Sequence, residues 1–249
     1  MSINKYFDID INTKEMISVV GGGGKTTTIF KLASELKLLN KRVLITTTTA
    51  IYNPKTYLYD KLVVLDNKQS IEANWENGTI IVLGKCISAE NKILGVDKNL
   101  LNLIFRNDFF DFILVEADGS KKKPIKAPAS HEPVIPRLTS KIIGIVGIDS
   151  LGKNIDETSV HRPEIFSRIT KSKIGDAITE EIVFRLVTSK DGLFKGSPED
   201  SKKYLLLNKA DQQEELEKAR LIGDMIRNDD FMINGILAGS MASKRIVNV

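Results

Sequence analysis

Residues 16–28 read MISVVGGGGKTTT, an apolar strand from Met16 to Val20 that runs straight into four glycines, a lysine and a run of threonines. Beyond the glycines, Ile29, Leu32, Ala33, Leu36 and Leu39 recur at three- and four-residue steps, which predicts an amphipathic helix from about Lys25 to Leu39. Strand, glycine turn and helix are thus contiguous, and chemistry has a use for that order. Glycine lets the backbone curl until successive N–H groups point at one anion, and the start of a helix adds its partial positive charge. Gly21, Gly22, Gly23 and Gly24, with Thr27 in the first helical turn, are the residues expected to wrap phosphate oxygens. Lys25 would reach the outer phosphates as a point charge, and the hydroxyl of Thr26 would ligate Mg²⁺. A flexible turn before an ordinary helix is the plainer explanation, but the flanking strand and helix are the context that phosphate binding requires.

Working outward, strand-like runs alternate with helical ones: Arg42 to Thr46, Leu62 to Leu65, Thr79 to Leu83, Phe112 to Glu116, Lys141 to Ile148, Tyr204 to Leu207 and Ile233 to Ala238. That rhythm predicts an α/β fold with a doubly wound, mostly parallel sheet. A helix is predicted after Asp211, where Leu216, Ala219, Ile222 and Ile226 line one face. Residues 121–136, KKKPIKAPASHEPVIP, carry four prolines and are predicted as a long loop. Pro163 to Arg168 and Glu180 to Val187 read as helical, so the expectation is one domain over 1–249 with a small helical and loop lobe inserted at 150–200.

Two further clusters carry chemistry. The run LLLNKAD places Asn208, Lys209 and Asp211 at a strand end, in the N-K-x-D pattern that recognises guanine. The Asp211 carboxylate can accept from guanine N1–H and the exocyclic amine, whereas adenine offers no such pair of donors. Lys209 would lie along the base, Asn208 would tie this loop to the glycines, and the small residues around Ala238 would offer backbone N–H to the guanine oxygen. A strand-end turn with Asp211 capping the next helix is the plainer alternative. The strand FDFILVEADGS delivers Glu116 and Asp118 past an apolar run, where a sheet presents its site. Lys25, Glu116 and Asp118 are therefore the candidate catalytic set, and Thr26, Thr48, Glu116 and Asp118 the candidate Mg²⁺ ligands. Thr48 and Thr49 close the strand RVLITTTT, although strand propensity alone explains some of its threonines.

Composition narrows the classes. At 249 residues, with 42% apolar and 27% charged, the chain suits a globule with a substantial core. The first fifteen residues show no leader pattern, so a cytoplasmic location is expected, with no membrane partner. One cysteine, Cys86, and two histidines argue against an internal disulfide and an all-protein zinc site. A net charge of +4 with no basic stripe interleaved with aromatics argues against a nucleic-acid partner.

The strict G-x-x-x-x-G-K-[ST] pattern fails at Val19, and the loop instead resembles the G-G-x-G-K-T loop shared by metallochaperone GTPases and partition-type ATPases. Those ATPases often carry a lysine where this chain has Val20. The resemblance implies a three-layer P-loop NTPase fold. It also implies an E-x-x-G motif at Glu116 and Gly119, with Gly119 sensing the γ-phosphate, and a homodimer by analogy. Taken together, VGGGGKTT, the TTTT strand end, LVEADGSK, KAPASHEPVIP, VHRPEIF and LNKAD resemble the YqeC family of accessory proteins for selenium-dependent molybdenum hydroxylases. The family implies a maturation role, with a molybdenum hydroxylase or its cofactor-maturation proteins as partner. The expected ligands are Mg²⁺ and GTP, with hydrolysis by in-line attack of water. An ATP-driven enzyme, a phosphotransferase and a non-hydrolysing scaffold are the alternatives. Lys121, Lys126, His131, Glu132, His161 and Arg162 form a candidate second site for a partner or an oxyanion. A structural hydrogen-bonding role would account for the histidines equally, and Cys86 reads as a buried apolar residue or a ligand for a soft element.

Overall fold

A computed structural model describes residues 2–67, 71 and 75–249. In chain order the elements are α1 (Ile3–Tyr6), β1 (Glu15–Gly21), α2 (Lys25–Leu38), β2 (Val43–Thr47), β3 (Ala50–Tyr52), β4 (Lys61–Val64), β5 (Ile80–Gly84), β6 (Lys92–Leu94), α3 (Lys98–Arg106) and β7 (Phe112–Glu116). There follow β8 (Ile125–Lys126), β9 (Lys141–Gly147), β10 (Val160–His161), α4 (Pro163–Thr170), α5 (Glu180–Thr188), β11 (Lys202–Asn208), α6 (Gln213–Arg227), β12 (Gly235–Ser240) and β13 (Arg245–Asn248).

Nine strands form one sheet in the order β13-β12-β11-β9-β1-β7-β2-β5-β4, and every pairing is parallel except β12 with β13. Every residue of β1 is buried, because helices cover both faces of the sheet. The strand period of two then sorts its side chains. Ile17 and Val19 pack with Ile29, Leu32 and Leu36 of α2, while Met16 and Val20 enter the cores of the opposite face. There, Leu101 and Ile104 of α3 cover one half, and α4, α5 and α6 cover the other through Phe166, Val183, Leu186 and Ile222. The result is a three-layer α/β fold of the P-loop kind.

The strand β1 lies between β7 and β9, with the chain leaving to opposite sides of it. Ligands of such sheets sit beyond the strands' carboxyl ends at that switch point, which is where the four glycines lie. The final parallel strand differs from expectation. It runs to Ser240 rather than ending at Ala238, and β13 returns antiparallel beside it. The proline-rich segment also holds a short strand, β8, paired in parallel with β10.

Candidate functional site

Three of the four glycines adopt backbone angles that L side chains avoid, with φ of 95° at Gly21, 83° at Gly23 and 136° at Gly24. Their surroundings are as restrictive as their angles. A Cβ at Gly24 would lie 2.2 Å from Asn208 Nδ2, and one at Gly23 would lie 2.5 Å from the Gly147 nitrogen. The N–H groups of Gly21, Gly22 and Gly23 are committed inside the protein, to Asp118 Oδ2 (3.0 Å), the Ile145 carbonyl (2.9 Å) and the Lys123 carbonyl (3.0 Å). The expectation that all four glycines turn their donors to one anion is therefore corrected. The free donors lie one step on, because the first helical bond of α2 runs from Thr28 N to Gly24 O. Gly24, Lys25, Thr26 and Thr27 have N–H groups that no carbonyl of the helix can take, and these residues line a cleft at the positive end of its dipole.

Lys25 folds back along this turn. Its ammonium donates to the Gly21 carbonyl (2.7 Å) and lies 3.1 Å from Asp118 Oδ1 and 3.7 Å from Glu116 Oε1. Burial favours loss of its proton, but the two carboxylates outweigh burial and hold the ammonium above its ordinary value. Thr26 Oγ1 donates to Glu116 Oε2 at 2.8 Å, so the hydroxyl and carboxylate expected to share a metal ion already touch. Burial pushes the Glu116 carboxyl above the usual range despite the Lys25 charge beside it.

Asp118 departs from its expected role as a metal contact. Strand β7 ends at Glu116, and Ala117 N donates to the Val19 carbonyl, which carries Asp118 beneath the glycine turn. There its Oδ2 takes the Gly21 N–H and lies 3.0 Å from Lys126 Nζ, while its Oδ1 faces Lys25. It supports the loop from below. Thr48 is also turned away: its hydroxyl donates to the Val134 carbonyl (2.8 Å), and Thr49, not Thr48, lines the cleft.

The elements expected around a base converge on the same turn. Asn208 Nδ2 donates to the Gly23 carbonyl (2.8 Å), and its Oδ1 accepts from Met241 N (3.0 Å), so one carboxamide joins the glycine loop to the turn after β12. Lys209 has a φ of 65° and reaches Asp149 Oδ2 at 2.8 Å. Asp211 does not cap α6, since Gln212 holds that position and Glu215 accepts from both the Asp211 and Gln212 N–H groups. The Asp211 carboxylate is exposed rather than buried, with Ser243 Oγ at 3.5 Å. Ala238 sits mid-strand between Leu207 and Val247, so it is no turn residue; that turn comes at 241–244.

A cleft of about 670 Å³ runs past these groups. Gly23 to Thr27, Lys209, Glu116 and Gly119 form one part of its wall, and another part includes Tyr52, Lys92, Lys121, Lys122, Glu132 and His161. Of the candidate second site, three residues are spent on one another. Lys126, almost wholly buried, donates to Glu132 Oε2 (2.6 Å) and to the Gly119 carbonyl (2.7 Å), and Arg162 grips Glu132 with two bonds of 2.5 and 3.0 Å. Burial alone would raise the Glu132 carboxyl, but Arg162 and Lys126 bring it down to about 2. Burial and the Arg162 and Lys126 charges push His161 down to about 4, so its ring is neutral near pH 7. His131 is exposed and, like the half-buried Cys86, does not line the cleft. Sequence reasoning missed Asp149, Tyr52 and Lys92, none of which belongs to a spaced motif.

A parallel sheet with a glycine turn, lysine and hydroxyl at its switch point defines a P-loop-like α/β protein. Residues 17–164 match the family model described as YqeC protein. The chain is 31% identical over 199 residues to a protein of Escherichia coli (strain K12) described as "Uncharacterized protein YqeC", covering 80% of this chain and 77% of that protein. The chain belongs to the YqeC family. Among the described residues no helix is long and apolar enough to cross a membrane.

Proposed function

We propose that this protein is a Mg²⁺-dependent GTPase that serves the maturation of selenium-dependent molybdenum hydroxylases in the cytoplasm. The observation that carries the nucleotide reading is the pairing of Lys25, Thr26 and Glu116 at the first turn of α2, inside the cleft. The free N–H groups of Gly24 to Thr27 would cradle the phosphate tail, and Lys25 would exchange Asp118 and Glu116 for β- and γ-phosphate oxygens. Gly119, on the same wall, would donate its N–H to the γ-phosphate. The cleft volume falls within the range of small-molecule sites.

The donors present suit Mg²⁺, a hard cation that takes one or two protein oxygens and completes its shell with water and phosphate. Thr26 Oγ1 and Glu116 Oε2, in contact at 2.8 Å, would hold it. The bound ion would neutralise charge on the transferring phosphoryl group.

Guanine is favoured because Asp211 is free of helix capping and Asn208 ties its loop to the glycines. The accessory role rests on the family resemblance. Titration with Mg²⁺ and GTP, ATP or CTP, followed by phosphate release, tests the reading. Micromolar or tighter GTP binding with slow turnover is expected, and Asp211→Asn should lose roughly tenfold or more of its preference for GTP over ATP. Equal binding of all three nucleotides by the unaltered protein would remove the guanine assignment, and binding of none would remove the whole reading.

A further inference from the structure

The cleft is longer than the phosphate loop needs, and its outer half has its own charge pattern. Lys25 is neutralised by Asp118 and Glu116, Lys209 faces Asp149, and Glu132 is held by Lys126 and Arg162. Lys92 pairs with the exposed Glu90. Lys121 and Lys122 have no carboxylate within ion-pair distance among the described residues, so this part of the wall is positive.

These two lysines are placed there against local preference. Both adopt left-handed angles, φ 46° and 63°, which ordinary side chains avoid and a loose loop would give to glycine or asparagine. The surroundings enforce the turn. Lys123 N donates to Ser120 O (2.9 Å), Lys123 O accepts from Gly23 N (3.0 Å), Lys123 Nζ donates to Thr158 O (2.8 Å), and Lys126 fixes Gly119 O. Lys122 Nζ then lies 4.2 Å from the centre of the Tyr52 ring, and Lys92 Nζ lies 5.4 Å from the same ring. One aromatic ring thus lies against two ammonium groups, of which that of Lys92 is shared with Glu90 and that of Lys122 meets no carboxylate among the described residues. His161, uncharged near neutral pH, adds a hydrogen-bonding ring to the same wall.

We propose that Lys121, Lys122, Lys92 and His161 form a second anion subsite in the outer cleft, separate from the nucleotide's phosphates, for a small molecule bearing a phosphate-like tetrahedral group. The subsite goes beyond the nucleotide reading and does not depend on hydrolysis. Gly119 and Thr26 line the same cleft, so its ligand would share that cleft with the nucleotide.

Calorimetric titration of the full chain with inorganic phosphate tests this, using Lys25→Ala and the double variant Lys121→Asn/Lys122→Asn. Asparagine tolerates the left-handed angles, so the double variant keeps its loop. Saturable binding is expected in the unaltered protein, persisting in Lys25→Ala or, should that variant fold poorly, in the unaltered protein saturated with Mg²⁺ and GDP. Loss of two ammonium contacts should weaken it roughly tenfold or more in the double variant. Absence of saturable binding, or equal binding by the double variant, overturns the proposal. So does a tenfold loss of GTP affinity in the double variant, which would assign the lysines to the nucleotide. Failure of GDP to bind the unaltered protein would instead count against the nucleotide reading and leave the phosphate titration to decide the subsite.

Discussion

Replacing Asp118 with asparagine keeps the shape of the side chain and removes the charge that two buried lysines share. Asp118 is 2% exposed, with Lys25 Nζ at 3.1 Å from one oxygen and Lys126 Nζ at 3.0 Å from the other. Removing one side of a buried ion pair leaves an uncompensated charge and costs about 3–5 kcal/mol. Lys126 keeps Glu132 and the Gly119 carbonyl, and Lys25 keeps the Gly21 carbonyl and Glu116 at 3.7 Å. The loss should therefore fall at the lower end, about 3 kcal/mol, which lowers Tm by roughly 6–12 °C for a chain of this size. The effect on triphosphate binding has the opposite sign. Lys25 no longer has to leave Asp118, and the phosphates supply the charge that the loop has lost. Scanning calorimetry without ligand and with Mg²⁺ and GTP reads both effects. The expected result is a lower ligand-free Tm together with a ligand-induced rise larger than that of the unaltered protein. An unchanged ligand-free Tm, or a smaller rise, would refute the assignment of Asp118 as a support beneath the loop.

Gly24→Ala sets a Cβ 2.2 Å from Asn208 Nδ2 at a φ of 136°, and urea unfolding should show a loss of at least about 2 kcal/mol together with loss of nucleotide binding. Asn208→Ala leaves the Gly23 carbonyl and the Met241 N–H without partners; the same measurement should show a loss of about 2–4 kcal/mol, and a change under about 0.5 kcal/mol would count against the bridge. For pH, the folded His161 sits at about 4, below its ordinary 6.5, so the folded state binds fewer protons and stability should fall as pH drops from 6.5 toward 4. Glu132, at about 2 against 4.5, adds stability that is full above 4.5 and lost as pH falls toward 2. His161→Gln should flatten the upper part of this curve, read by urea unfolding at pH 7 and pH 5, and an unchanged slope there would contradict the burial of the ring.

The parts of the fold visible in the sequence are those whose signal is local. The glycine turn, the strand before it and the helix after it are continuous in sequence, and α2 ends at Leu38, one residue short of expectation. Phe112 to Glu116 is a strand with those bounds, because five apolar or boundary residues in a fully buried parallel sheet leave little ambiguity. Helix α3 carries a local signal that the strand-and-turn rhythm does not reveal: Asp97 caps it, accepting from the Asn99 and Leu100 N–H groups, and Leu101 and Ile104 repeat at helical spacing. Strand β12 runs two residues past the expected end because Gly239 and Ser240 look like turn formers in sequence, and it is pairing with β11 and β13 that makes them strand. In the site, Lys25, Thr26 and Glu116 were legible as neighbours because a known chemistry ties their spacing together. The downward turn of Asp118, the pairing of Lys126 with Glu132, and the meeting of Asp149 with Lys209 were not. Each depends on where distant loops come to rest, and no periodicity in the chain encodes that.

The folded-back posture of Lys25 bears on which ions could enter. Its charge is already answered by two acidic groups and a carbonyl, so the turn offers no bare cation to a passing chloride, sulfate or monophosphate. A visitor must carry enough negative valence, on enough oxygens at once, to outbid that inner ring of partners. On the nucleotide reading proposed above, a polyphosphate chain would meet that requirement and a lone oxyanion would not, so the lysine would act as a threshold that sorts solutes by charge number before any feature of the base is consulted.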